Sequence, residues 1–158
     1  GLPRPVFLYA GRVAVEKNIE AFLRLDLPGS KVVVGDGPQR QALQSRFRSA
    51  HFAGWRQGEA LAAAYAGADV SVFPSRTDTF GLVILEAMAC GTPVAAYPVT
   101  GPLDVIAGSG AGALDEDLGR AAQAALGCDR ARCRAHAERY SWAACAGAFR
   151  RQLVPIRG

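Results

Sequence analysis

The chain has 158 residues, a formal net charge of +4, and hydrophobic residues at half of its positions. A chain of this size and composition buries its own core as one globular domain, which excludes intrinsic disorder as its main state. No apolar run approaches the ~20 residues that span a membrane, and the first residues lack the pattern of a signal peptide. Cysteines 90, 128, 133 and 145 lack the spacing of metal ligands or of a disulfide framework, so we expect reduced thiols in the cytoplasm.

Short apolar runs alternate with helix-favouring segments along the chain. The runs predict strands over residues 6–10, 31–34, 51–53, 70–73 and 93–96. The segments between them predict helices over residues 18–25, 38–47, 57–66 and 81–90, with Pro38 opening the second. This alternation is typical of a parallel α/β sheet.

The last third of the chain is predicted to be helical after the glycine-rich segment 108–112. Ser141 is expected to cap a final helix that Pro155 ends. One face of that helix is expected to carry Trp142, Cys145, Phe149 and Leu153.

Every predicted junction between a strand and the following helix contains glycine. These glycines are Gly11, Gly35, Gly37, Gly54 and Gly81. The carboxyl ends of parallel strands share one edge of the sheet, and ligands of open α/β sheets bind along that edge. We therefore expect a ligand site there.

The segment from Pro74 to Val94 places Asp78 before a predicted helix and Glu86 inside it. The backbone N–H groups of residues 80–83 are expected to form an anion site, suited to a phosphate, at the amino end of this helix. Glu86 lies about one turn further and can accept hydrogen bonds from two vicinal hydroxyls, as in a ribose, whereas Asp78 can hold hydroxyls of a neighbouring sugar. In the alternative interpretation, Asp78 only balances the helix dipole and Glu86 is a solvated surface residue.

The same segment carries a longer pattern, in which seven residues separate Asp78 from Glu86 and Ala87-Met88-Ala89-Cys90-Gly91-Thr92-Pro93-Val94 follows. Other motifs occur in a fixed order: Gly11-Arg12 with Glu16-Lys17-Asn18, Gly35-Asp36-Gly37-Pro38, Phe52-Ala53-Gly54, Gly101-Pro102-Leu103-Asp104 and Tyr140-Ser141-Trp142. With these motifs the chain resembles, over essentially its whole length, the nucleotide-sugar-binding half of the family-4 retaining glycosyltransferases of GT-B fold. Asp78 stands where that family more often has Glu.

The resemblance implies a Rossmann-like, doubly wound parallel sheet that forms one half of a GT-B fold. Residues 1–158 would be the C-terminal, donor-binding domain of a longer retaining hexosyltransferase whose acceptor-binding domain precedes this sequence. The donor would be a nucleotide sugar of the GDP-mannose or UDP-hexose type, and the acceptor a lipid, a glycolipid or a saccharide. Alone, the domain is expected to bind nucleotide but to turn over little.

The resemblance also implies roles for individual residues. Arg12 and Lys17 would grip the diphosphate in place of a metal ion, Asp78 would orient the donor sugar, and Glu86 would hold the ribose. The remaining expected donor-binding residues are Gly11, Gly35, Gly37, Pro38, Gly54, Trp55, Thr79, Phe80, Gly81, Leu82 and Val83, with the base near 35–38 and 53–55. No metal and no cofactor are expected in this domain.

Several other functions compete with this interpretation. Asp115-Glu116-Asp117 has the spacing of a metal-binding Asp-x-Asp motif, but it precedes a predicted helix and is better explained by capping. Asp78 and Glu86 could be the acid and base of a glycoside hydrolase. A nucleotide-sugar epimerase of similar fold is a further enzyme alternative. A non-catalytic basic binding module is the non-enzymatic one, although we expect no nucleic acid partner.

The positive charge is concentrated at the end of the chain. Residues 1–129 carry eleven basic and thirteen acidic side chains, a net charge of −2, whereas residues 130–158 carry seven arginines and one acid, a net charge of +6. These arginines are expected to form a solvated face, a contact with the acceptor-binding domain, or a contact with an anionic membrane. The expected location is the cytoplasm, including the inner face of the membrane.

Overall fold

The structure, a computed structural model, describes residues 1–77, 81–141, 143–144 and 146–147. The strands are β1 (Val6–Ala10), β2 (Ser30–Val34), β3 (His51–Gly54), β4 (Val70–Phe73), β5 (Val94–Ala96) and β6 (Gly112–Leu114). The helices are α1 (Ile19–Arg24), α2 (Arg40–Arg46), α3 (Gly58–Gly67), α4 (Leu82–Ala89), α5 (Thr100–Ile106), α6 (Leu118–Ala125) and α7 (Arg130–Glu138). A 3-10 turn at Val15–Lys17 precedes α1.

Within the described residues, the strands form one parallel sheet in the order β3-β2-β1-β4-β5-β6. The five predicted strands are confirmed, and their ends differ from the predicted ends by at most one residue. The four predicted helices are confirmed as well, three of them shorter than predicted. Because α2 begins at Arg40, Pro38 lies in the turn before the helix rather than in its first turn. No helix in the described part of the chain is long and apolar enough to cross a lipid bilayer.

The sixth strand was not expected, and the prediction that the chain is only helical after residue 112 is wrong. Gly112, Ala113 and Leu114 pair in register with β5. A Cβ atom on Gly112 would lie 2.3 Å from the carbonyl oxygen of Val94, so only glycine allows this approach. The segment lacks the β-branched and aromatic residues that mark strands, and pairing with β5 determines its conformation. Ser141 Oγ accepts a hydrogen bond from Ala144 N at 3.2 Å, as a cap does; Trp142, Cys145, Phe149, Leu153 and Pro155 lie outside the described residues.

The core is divided between the two faces of the sheet. Along β1, Phe7 and Tyr9 belong to a cluster with residues of α1, α2 and α6, whereas Leu8 and Ala10 belong to a cluster with residues of α3, α4, α5 and α7. Each large side chain buried in this way contributes ~1.5–3 kcal/mol relative to an exposed one. The sheet is therefore covered on both faces, as expected for a Rossmann-like, doubly wound fold.

The strand order creates a crevice between β1 and β4. These strands are neighbours in the sheet, but α1 follows β1 onto one face and α4 follows β4 onto the other. In open α/β sheets, loops that diverge in this way leave a ligand crevice beyond the carboxyl ends of the strands. The fold thus brings the segment after Ala10 and the segment after Phe73 to one place.

Candidate functional site

Two adjoining cavities lie along this edge of the sheet. The first has a volume of about 340 Å³, and the second a volume of about 390 Å³. They share Ala10, Gly11, Arg12 and Val83, so they form one continuous cleft that runs from the loops after β2 and β3 to the start of α4.

Glycines build the floor of the first cavity. Gly11 N donates to Val34 O at 3.0 Å, and Gly35 N donates to Gly54 O at 2.9 Å, so the ends of β1, β2 and β3 are joined directly. Gly35 has a φ of +145°, and a Cβ atom there would lie 1.8 Å from the carbonyl oxygen of Gly11. Three loops therefore pass each other without side chains, and the two glycines Gly11 and Gly35 line the cavity itself.

The loop after β1 presents two cations to the cleft. Arg12 lines both cavities and Lys17 lines the second. The Arg12 guanidinium is exposed and lies 3.8 Å from a Glu16 carboxylate oxygen, a weak surface pair that a stronger anion can displace. The backbone at Arg12 is fixed, because the Tyr9 hydroxyl donates to Arg12 O at 2.8 Å.

Asn18 holds the segment that carries Lys17. Its backbone is left-handed, with a φ of 52°, and its side-chain Nδ2 donates to Pro74 O at 3.1 Å. The loop after β1 is thereby tied to the end of β4, across the crevice. This bond places Lys17 beside the segment that leads into α4.

The amino end of α4 opens onto the second cavity. Gly81 precedes the helix with a φ of +66°, and Leu82 and Val83 line the cavity together with Arg12 and Lys17. Ile84 N donates to Gly81 O at 2.9 Å, whereas the N–H groups of Leu82 and Val83, the first two residues of the helix, have no partner within it. The helix dipole adds partial positive charge there. Helix end and cations therefore form one positive region, suited to an anion. Asp78, Thr79 and Phe80, which the sequence places just before this helix, lie outside the described residues.

Glu86 belongs to the other part of the cleft. It lines the first cavity, one turn along α4 from Val83. The Tyr65 hydroxyl donates to Glu86 Oε2 at 3.3 Å. Glu86 and the amino end of α4 therefore lie in different parts of the same cleft.

The far wall of the first cavity is formed by Trp55, Arg56 and Asp36. Trp55 follows Gly54, whose φ is +73°. The surface of Trp55 is 61% exposed. An exposed aromatic ring beside polar groups is a surface on which a planar ring can stack. Gly37 and Pro38, also expected near the base, line a separate and shallower pocket on the other side of Asp36.

Sequence reasoning missed several residues of this region. Arg56 and Tyr65 line the first cavity, and no motif indicated either of them. Arg76, near the end of β4, lies with its guanidinium 3.7 Å from the Tyr97 ring centre and 3.2 Å from Glu116 Oε2. Tyr97 and Glu116 follow different strands, so only the folded sheet brings these three side chains together.

The acidic segment before α6 behaves as the capping interpretation predicts. Asp117 accepts hydrogen bonds from the backbone N of Gly119 at 2.9 Å and of Arg120 at 3.2 Å. Asp115 accepts one from Asp117 N at 2.8 Å. Nowhere in the described ranges do three or more His, Cys, Asp or Glu side chains gather as a metal site would require.

The described C-terminal arginines differ in what they contact. Arg130 donates to Ala68 O at 2.7 Å and to Ala66 O at 2.8 Å, which holds α7 against the end of α3. Arg134 lies 3.6 Å from Glu138 on the same helix. Arg132 and Arg139 are exposed, whereas Arg150, Arg151 and Arg157 lie outside the described residues.

Sequence comparison finds relatives among enzymes that transfer sugars. A family model described as "Glycosyl transferases group 1" matches residues 4–128. The chain is 41% identical over 108 residues to the sulfoquinovosyl transferase SQD2 of Arabidopsis thaliana, covering 65% of this chain and 21% of that protein. It is 44% identical over 108 residues to a GDP-mannose-dependent alpha-mannosyltransferase of Mycolicibacterium smegmatis, covering 66% of this chain and 28% of that protein.

Structural comparison finds the same fold in larger proteins. The lipopolysaccharide outer core galactosyltransferase WaaB, in its apo form, matches with a TM-score of 0.78 at 20% identity, covering 94% of this chain and 48% of that one. A sucrose-phosphate synthase from Thermosynechococcus elongatus matches with a TM-score of 0.76 at 30% identity, covering 94% of this chain and 45% of that one. The chain thus spans less than a third of these two curated relatives and about half of the matched structures.

Proposed function

Since this chain belongs to the glycosyl transferases group 1 family and has the fold of the C-terminal half of a GT-B enzyme, we propose that its cleft binds a nucleoside diphosphate sugar. In this proposal, residues 1–158 are the donor-binding domain of a longer enzyme that transfers a hexose with retention of configuration. The observation that carries it is the convergence of Arg12, Lys17 and the amino end of α4 on one cavity, with Glu86 in the adjoining one.

The positive region would stabilise the leaving group. When the bond between sugar and diphosphate breaks, negative charge develops on the departing nucleoside diphosphate. A cation ~4 Å from that charge, at an effective dielectric constant near 20, contributes on the order of 4 kcal/mol, whereas a helix end contributes ~0.3–2 kcal/mol. Arg12 and Lys17 would therefore dominate and would take the place of a metal ion. Because both are in place before reaction, this is electrostatic catalysis by preorganised groups.

We assign the remaining donor contacts from the positions of residues along the cleft and from the sequence motif. Glu86 would accept hydrogen bonds from the two ribose hydroxyls, and the base would lie against the wall that Trp55 and Arg56 form. Asp78 would orient the donor sugar, next to the backbone of Thr79 and Phe80. The name of the mannosyltransferase relative specifies GDP-mannose, which favours a donor of that type. A UDP-hexose donor and a lipid, glycolipid or saccharide acceptor are proposed from the family resemblance alone.

The acceptor would be held by a domain that is not part of this sequence, so the proposed full reaction requires both. We place the enzyme in the cytoplasm, where reduced cysteines such as the described Cys90, Cys128 and Cys133 persist, and at the membrane's inner face when the acceptor is a lipid. The exposed C-terminal arginines would contact either the acceptor domain or an anionic membrane. Sedimentation of the chain with neutral and anionic vesicles separates these two roles.

The proposal is tested by titrating the chain with GDP-mannose, UDP-glucose and duplex DNA in a calorimeter at two salt concentrations. We expect saturable binding of at least one sugar nucleotide and no specific binding of DNA. A basic binding module would instead bind DNA with a steep salt dependence and ignore both sugar nucleotides. An epimerase would interconvert the bound sugar without an acceptor, which chromatography of the recovered nucleotide detects, and a hydrolase would cleave simple glycosides without nucleotide.

A further inference from the structure

Glu86 lies between two spaces that its side chain can occupy. It lines the first cavity of the cleft, and it also lines a pocket of about 280 Å³ between α3 and α4. This pocket, which is separate from both cavities of the cleft, is bordered by Gly58, Leu61, Ala62 and Cys90. A carboxylate that turned toward this pocket would be lost to the cleft, so something must select its position.

The group in contact with the carboxylate is the Tyr65 hydroxyl. Tyr65 is 1% exposed, and it lines both the cavity and the pocket. Its hydroxyl donates to Glu86 Oε2 at 3.3 Å, whereas Oε1 makes no hydrogen bond with any residue in the described part of the chain. One carboxylate oxygen is thereby occupied by the protein, and the other is available.

Tyr65 itself is firmly held. Its carbonyl oxygen accepts a hydrogen bond from the buried Thr92 hydroxyl at 2.6 Å and another from Ala68 N at 2.9 Å. Arg130 lies 3.4 Å from the same Thr92 hydroxyl. A buried ring with a fixed backbone has little freedom to move, so its hydroxyl is a stable reference point for Glu86.

The hydroxyl acts as a donor at physiological pH. Burial raises the pKa of Tyr65 well above its usual range, and the nearby Glu86 carboxylate raises it further. The phenol therefore keeps its single proton, which it shares with Glu86 Oε2.

We propose that Tyr65 is a positioning residue, which holds the Glu86 carboxylate at the cleft with Oε1 available to accept hydrogen bonds from the vicinal hydroxyls of a nucleotide's ribose. This inference rests on the proposed function, since it requires Glu86 to be the ribose acceptor. In this role Tyr65 acts through Glu86, because its hydroxyl fixes the position of the carboxylate.

The experiment measures selectivity for ribose hydroxyls rather than affinity alone. The chain is titrated with GDP and UDP, and then with the 2′,3′-dideoxy form of whichever binds more tightly. The dissociation constant of the dideoxy nucleotide divided by that of the normal nucleotide reports the ribose contacts, because base and diphosphate are the same in both. A smaller ratio means that the ribose hydroxyls contribute less to binding. The variants are Tyr65→Phe, Glu86→Ala and the double variant, with Tyr140→Phe, which removes a hydroxyl near Asp104 outside the cleft, as the matched control.

We expect Tyr65→Phe to reduce the ratio about fivefold, as the loss of one hydrogen bond does, and to leave affinity for the dideoxy nucleotide unchanged. Glu86→Ala should reduce the ratio further, and adding Tyr65→Phe to it should have no additional effect. Tyr140→Phe should behave as the unaltered chain.

Three results would overturn the inference. A ratio unchanged in Tyr65→Phe but reduced in Glu86→Ala would leave the ribose role of Glu86 intact and remove that of Tyr65. An equal loss of affinity for both nucleotides in Tyr65→Phe would show that the hydroxyl only supports packing. A ratio unchanged in Glu86→Ala would remove the ribose role of Glu86 and this inference with it, while binding of GDP or UDP would still support the donor site. No binding of GDP or UDP at all would instead contradict the proposed function itself.

Discussion

Gly35 passes so close to Gly11 that a Cβ atom on Gly35 would lie 1.8 Å from the Gly11 carbonyl oxygen. This approach joins the loops after β1 and β2 at the floor of the cleft. Glycine is required there twice over, because Gly35 also has a positive φ.

Gly35→Ala should therefore destabilise the chain by ~3 kcal/mol, since the backbone of one loop must move to make room. Urea unfolding followed by circular dichroism measures the change. Gly67→Ala is the matched control, because nothing lies within 4 Å of a Cβ atom at Gly67. That substitution should be neutral or stabilising, and equal destabilisation by both would contradict the close approach.

The Arg130 contacts predict a stability effect that other arginines of α7 do not share. Arg130→Ala leaves the carbonyl oxygens of Ala66 and Ala68 without their donor, and it should cost ~1–3 kcal/mol of unfolding free energy. Arg132→Ala, on the same helix and exposed, should change it by less than ~0.5 kcal/mol. Thermal unfolding of the two variants makes the comparison, and equal midpoints would show that Arg130 is only a surface charge.

Asp69 gives the chain a defined sensitivity to acid. Burial alone would raise the pKa of Asp69, but hydrogen bonds from Arg4 and from the backbone N of Val6 outweigh it and lower the pKa below its usual range. The carboxylate thus contributes stability that is fully present above its unfolded pKa of ~3.9 and is lost as pH falls through the folded value. Asp69→Asn should cost ~1 kcal/mol at pH 7 and much less at pH 3, because the pair is partly exposed. Urea unfolding at the two pH values measures this, and a cost independent of pH would exclude a charge effect.

The thiol of Cys90 reports where the Glu86 carboxylate lies. Burial is the main cause that raises the pKa of Cys90, and the negative charge of Glu86 raises this pKa further. Removing that charge in Glu86→Gln should lower the pKa and increase the thiolate fraction at pH 8, so Cys90 should react faster with iodoacetamide. Cys133, whose pKa burial raises to about 11, should remain unreactive in both chains. Mass spectrometry of the separate peptides measures both rates, and an unchanged Cys90 rate would place the carboxylate away from the thiol.

Much of the fold could be predicted because its local signals agree with its tertiary structure. The apolar runs of β1 and β4 are buried on both faces of the sheet, so composition alone marks them as strands. β6 could not be found in this way, because Gly112 and Ala113 carry no strand signal and become a strand only by pairing with β5. Tertiary pairing, rather than propensity, determines such a segment.

The site, too, contains residues that sequence motifs indicate and residues that only the folded structure brings together. Arg12, Lys17 and Glu86 lie in recognisable motifs, and the structure brings all three to one cleft. Tyr65 resembles any core residue of an alanine-rich helix, so nothing in its neighbours along the chain indicates a contact with Glu86. Gly37 was expected beside the base. Instead, its backbone packs closely against the loop after β1, since a Cβ atom added to Gly37 would lie 2.4 Å from Val13 O. The part that Gly37 and Pro38 play in donor binding stays a prediction.

We propose above all that Arg12, Lys17 and the start of α4 bind a diphosphate. Calorimetric titration with GDP, GMP, UDP and UMP tests it most directly, in the unaltered chain, in Lys17→Ala and in Arg48→Ala, an exposed cation at the opposite edge of the sheet. We predict that the unaltered chain prefers the diphosphate, that Lys17→Ala weakens diphosphate binding at least ~10-fold while changing monophosphate binding little, and that Arg48→Ala changes neither. A preference for the diphosphate that persists unchanged in Lys17→Ala would contradict the account.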